Sequence, residues 1–124
     1  MLKHIAASTA LLAVLALPLA AQSAQAPAGD EVTITGQVID MNCYTTMGAS
    51  GPSHKDCAIA CAKAGVPLAI LSSDGTIYMP VSSKPGDPQN ARLINFVESK
   101  VKVTGTQKLV GGMHTIQIKT IAAA

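Results

Sequence analysis

The chain has 124 residues, a formal net charge of +2 at pH 7, 48% hydrophobic residues and three cysteines. Nine basic residues stand against seven acidic ones with no basic run among them, and Tyr44, Tyr78 and Phe96 are the only aromatic side chains. That composition argues against a phosphate-binding patch or a base-stacking platform, and so against nucleic acid as a partner.

Met1-Leu2-Lys3-His4 precedes an apolar run from Ile5 to Ala20, followed by small and amide residues to Ala26. This is the order of a secretory signal peptide, expected over residues 1–26 and removed on export. The run is shorter than the ~20 apolar residues of a membrane span, and Pro18 interrupts its end. The expectation is therefore a periplasmic or secreted bacterial protein with no membrane span after cleavage. Residues 27–30 read as a short linker, and residues 31–124 are the size of a single domain.

From Glu31 to Asp40 apolar and polar residues alternate about Gly36, which predicts a first strand with a bend. A loop rich in Gly follows, with Gly48, Gly51 and Pro52. Ser53 with Asp56 then resembles a capping box opening a helix from His54 to Ala64 that stops at Gly65. Leu68 to Leu71 and Thr76 to Val81 flank Asp74-Gly75, the signature of a β-hairpin, and Pro80 predicts that the second strand ends or reaches an edge there. After a polar loop, Ala91 to Val97 predicts a short helix with one buried side. Two strands follow, near Lys100 to Gln107 and His114 to Ile121, joined at Gly111-Gly112. Apart from the helical insert, this is the order of a mainly β, OB-like five-stranded barrel with a short helix between strands 3 and 4. A split α+β sheet with two helices on one face gives the same string.

The chemistry is concentrated in the insert. His54, Cys57 and Cys61 are spaced i, i+3, i+7 and fall on one face of the predicted helix, and Cys43 arrives from the end of the first strand. A Cys3His set of Cys43, His54, Cys57 and Cys61 suits a transition metal, zinc or copper. The three cysteines admit an alternative, a disulfide from Cys43 to Cys57 or Cys61 in a structural or accessory domain that docks on an envelope protein partner. Within a regular helix, Cys57 and Cys61 are poorly disposed to pair with each other. A third reading is thiol redox or nucleophilic chemistry at Cys57 near the helix start. Asp40 reads as the end of the first strand, with a hydrogen bond to His54 as its functional alternative; Met41 and Met47 read as packing residues, with thioether donors to copper as theirs; and His114 reads as a surface residue in a turn. No haem-attachment, phosphate-loop or serine-nucleophile motif is present, so no enzymatic activity is expected.

Gly36-x-Val38-x-Asp40-x-x-Cys43, His54-x-x-Cys57-Ala58-x-x-Cys61, Gly65-x-Pro67, Asp74-Gly75-x-Ile77-Tyr78 and Val101-x-Val103-x-Gly105 together span nearly all of the chain past the signal segment. In these motifs the chain resembles a group of small exported bacterial OB-like proteins with a Cys/His insert. The resemblance implies the fold and export, and it brings no activity with it. Copper chaperones of the Sco type also use C-x3-C with a distant His, but on a thioredoxin fold that this strand order does not match.

Overall fold

The computed structural model describes residues 28–124, so the signal segment expected over residues 1–26 lies outside the described residues. Five strands form the body: β1 (Asp30–Asp40), β2 (Leu68–Ser72), β3 (Ile77–Pro80), β4 (Lys100–Val110) and β5 (Met113–Ala123). They close into a barrel in the order β1-β2-β3-β5-β4. All neighbours are antiparallel except β3 and β5, which run parallel. This is the OB-like arrangement expected from the sequence, and closure excludes the open, split sheet.

β1 is long because it serves two neighbours. Asp30 to Gln37 pair with β4, whereas Gly36 to Asp40 pair with β2. The overlap falls at Gly36, where a Cβ would lie 2.5 Å from the Leu71 carbonyl oxygen. A residue without a side chain lets β1 bend there and pass from one partner to the next. The bend read from Gly36 is thus a barrel corner, and β1 begins at Asp30, within the expected linker.

Ile34, Val38, Leu68, Ile70, Val101, Val103, Ile116 and Ile118 fill the interior. A short helix, α3 (Asn90–Leu93), and the 3-10 turn after it lie between β3 and β4, and Leu93 and Val97 complete the core. Strand β3 ends at Pro80, as its lack of an amide proton requires.

Two helices fill the β1–β2 connection: α1 (Met41–Met47) and α2 (Lys55–Lys63), with a 3-10 turn at Pro52–His54 before α2. The expected loop after Cys43 is thus partly helical. Asp40 caps α1, its Oδ1 accepting from the Cys43 amide at 2.9 Å, and Gly48 ends the helix with φ 67°. α2 stops as predicted, with Gly65 at φ 100° and the Val66 amide donating to the Cys61 carbonyl at 3.0 Å. Its start differs from the expected capping box. The helix begins at Lys55, and no side chain caps it locally.

A candidate metal centre

α2 lies on the barrel through Ala58 and Ala62, which are buried and belong to the core. Alanine at both positions brings the helix backbone close to the barrel. Cys57 and Cys61 precede these alanines by one residue each, so they lie along the edge of the buried face. Cys43, in the first turn of α1, is itself buried.

The structure brings all four sequence-predicted donors into one neighbourhood, in two overlapping groups. Donor atoms of Cys43, His54 and Cys57 lie within 4.8 Å of one another, as do those of Asp40, Cys43 and Cys61. Cys43 belongs to both. A single helical face bearing His54, Cys57 and Cys61 is therefore not what forms: His54 belongs to the 3-10 turn before α2, and Cys61 groups with Asp40. The alternative disulfide from Cys43 to Cys57 or Cys61 is not formed, and all three cysteines are free thiols.

His54 is oriented by a residue outside the sequence-predicted set. Its Nδ1 lies 2.9 Å from Oε1 of Glu98, whose side chain is fully excluded from solvent. The other carboxylate oxygen of Glu98 accepts from the Gly51 amide at 2.7 Å and from Nε2 of Gln37 at 2.6 Å. Glu98 thereby stands in for the missing local cap, holding the turn that carries His54 from a site 44 residues away. Its backbone is anchored to β1, the Glu98 amide donating to the Val38 carbonyl at 2.8 Å. The residue sits at φ 56°, a left-handed conformation uncommon for glutamate and found here at the site itself. The only trace in the sequence is an acidic residue just before a strand, a pattern too common on protein surfaces to point to a site.

With Nδ1–H donated to a carboxylate, a neutral imidazole presents Nε2 as its free lone pair, the arrangement that second-sphere carboxylates impose on metal-binding histidines. Nε2 of His54 is buried and has no hydrogen-bond partner. The alternative role for Asp40, a bond to His54, is not made, since its Oδ1 caps α1 and Glu98 takes the histidine. Oδ2 of Asp40 is likewise buried without a partner.

The thiols feel this environment. A hydrogen bond from the Cys61 thiol to the Asp40 carboxylate, followed by burial, pushes that thiol up to about 12 from an ordinary value of 9.0. Burial, with Asp40 and Cys57 adding to it, raises Cys43 as well. Both are protonated near neutral pH unless a cation displaces the proton.

Met47 is 70% exposed, and Met41 lines an open cleft on the barrel with Met79 and Met113. His114 lies in β5, not in a turn. It packs edge-on against Tyr78, with ring centroids 5.4 Å apart, and shares a hydrogen bond with Gln107 at 3.1 Å.

Fold and site together define a small closed β-barrel whose first strand connection carries a centre of thiols, an imidazole and carboxylates. No protein-family profile, curated protein or solved structure matches the chain.

Proposed function

We propose that this protein is an exported bacterial binding domain that coordinates a transition metal ion, zinc or copper, through the cluster of Cys43, His54, Cys57 and Cys61. The observation that carries this reading is the buried Nε2 of His54. It has no partner, while the opposite ring nitrogen is held by Glu98 and a ring nitrogen of His54 lies within 4.8 Å of the Cys43 and Cys57 thiols. A buried polar atom without a partner costs free energy unless something satisfies it. A metal ion does so at a neutral imidazole. With Zn–S bonds near 2.3 Å, tetrahedral sulfurs sit about 3.8 Å apart, so the donors of Cys43, His54 and Cys57, already within 4.8 Å of one another, close on an ion by small side-chain adjustments, and Cys61 lies as near to Cys43. Thiolate and imidazole donors suit zinc and soft copper(I) alike. Export is supported by the charged, apolar and small-residue order of residues 1–26.

The test is metal analysis of protein purified without a histidine tag, paired with thiol counting before and after chelation. The expected result is at least one bound transition metal per chain and three thiols that become reactive once the metal is removed. His54→Ala should weaken binding and, because metal affinity is linked to folding, lower the metal-dependent part of the stability. Metal-free protein with one disulfide and one free thiol would overturn the reading.

A further inference from the structure

Two groups of donors surround Cys43, and each contains one buried polar atom that lacks a hydrogen-bond partner. In the group of Cys43, His54 and Cys57 it is Nε2 of His54, and in the group of Asp40, Cys43 and Cys61 it is Oδ2 of Asp40. Among the described residues no other buried side-chain nitrogen or oxygen is left unpartnered. Asp40 is completely excluded from solvent. It takes part in neither of the ion pairs among the described residues, which join His54 to Glu98 and Lys119 to Glu31. A buried carboxylate with no cation beside it is costly, and with one oxygen spent on a helix cap the other has only the weak S–H donor of Cys61 near it.

Charge counting separates one ion from two. A single divalent ion on three thiolates and a neutral imidazole leaves one net negative charge, and the Asp40 carboxylate adds another beside it. Two divalent ions offset three thiolates and one carboxylate. Glu98, already hydrogen-bonded by Gln37 and Gly51 and in contact with His54, adds the same single charge to either count.

We infer that the centre holds two divalent ions bridged by the Cys43 thiolate, one on Cys43, His54 and Cys57 and the second on Cys43, Asp40 and Cys61. This rests on the metal-binding reading above and extends it by a second site. Each thiol releases its S–H proton to solvent as its sulfur bonds to metal, and the Cys43 sulfur donates one lone pair to each ion. Each ion then has three protein donors and one position free for water or a small ligand, the pattern of an open metal site and not of a closed structural one.

The experiment is a titration of the reduced, metal-stripped protein with cadmium-113 ions, followed by native mass spectrometry and cadmium NMR. Two equivalents bind, giving two cadmium resonances split by mutual coupling through the shared sulfur. Asp40→Asn keeps the oxygen that caps α1 and loses one equivalent and one resonance. Cys61→Ser, which touches no cap, gives the same loss. One equivalent in the unaltered protein overturns the second site and leaves the metal-binding reading standing, whereas no bound cadmium overturns both. Two equivalents that survive both substitutions place the second ion elsewhere and overturn the bridged centre.

Discussion

Glu98 accepts hydrogen bonds from Gln37 in β1 and from Gly51 in the insert, and meets His54 at the end of the 3-10 turn. One side chain therefore ties the barrel wall to the turn that presents the imidazole. Glu98→Gln preserves size but turns an amide N–H toward Nδ1 of His54, which either meets it donor to donor or moves its proton to Nε2, and leaves a weaker, neutral acceptor for Gln37 and Gly51. We expect the fold to persist with a loss of about 1 to 3 kcal/mol in denaturant unfolding, the cost of unsatisfying a buried hydrogen-bonding group. Metal affinity should drop roughly 10- to 100-fold in competition with a chelator, the usual effect of losing a ligand's orienting partner. Unchanged affinity would show that His54 needs no orienting carboxylate. None of this was legible in the sequence, because the pairing of residues 54 and 98 is made by the path of β1 and β4 around the barrel and leaves no local spacing to read. Asp40 shows the converse. It was visible as a chemical group near Cys43, but its role as a cap depends on α1, a helix that the sequence does not announce.

At the scale of elements, the parts with a strong period were the parts that could be read. The Asp74-Gly75 hairpin, the stop of α2 at Gly65 and the alternation of β4 each carry a local physical signal, and each stands within a few residues of its expected place. α1 has little inside it, since Met41–Met47 is under two turns long, includes two threonines and buries only Cys43. Its signals lie outside, in Asp40 as N-cap and Gly48 as C-cap. The docking of α2 was also hidden, because it depends on Asn90 in α3. Oδ1 of Asn90 accepts from the Leu68 amide at 3.0 Å, and Nδ2 donates to the carbonyls of Ala62 at 3.1 Å and Val66 at 2.8 Å. The side chain thus fastens the C-terminal end of α2, next to Cys61, to the start of β2. Asn90→Ala leaves three backbone groups without this partner and should destabilise the fold by about 2 kcal/mol. Asn90→Asp keeps the acceptor for Leu68 but loses both donors and sets a negative charge against carbonyls at a helix C-terminus, where the macrodipole is also negative. It should be at least as damaging as the alanine change in urea unfolding. An Asn90→Asp variant as stable as the parent would show that the two carbonyl contacts contribute nothing.

For the whole molecule, the proposed metal binding and folding should respond to pH in opposite ways through the thiols. In the metal-free protein Cys61 is held up to about 12, first by the Asp40 carboxylate and then by burial, and Cys43 is raised chiefly by burial. Unfolding returns both to the ordinary value of 9.0. Above that value the unfolded chain has lost protons that the folded chain retains, so alkali favours unfolding. Stability from this source is therefore complete below pH 9.0 and is lost progressively as the pH rises toward about 12. Metal reverses the sign, because bound sulfur must be thiolate and each thiol proton competes with the ion. Acidification should weaken metal binding, and the gap in stability between metal-loaded and chelated protein should widen from mildly acidic to mildly alkaline pH. Equilibrium unfolding across that range, with and without a chelator, measures both trends on one protein. Cys61→Ser supplies the control, since removing the most strongly shifted thiol should flatten the alkaline decline of the metal-free form. If the serine variant declines as steeply as the parent, the Cys61 thiol is not the source of the alkaline loss. If the gap between loaded and chelated protein stays constant with pH, the ion is not held by sulfur.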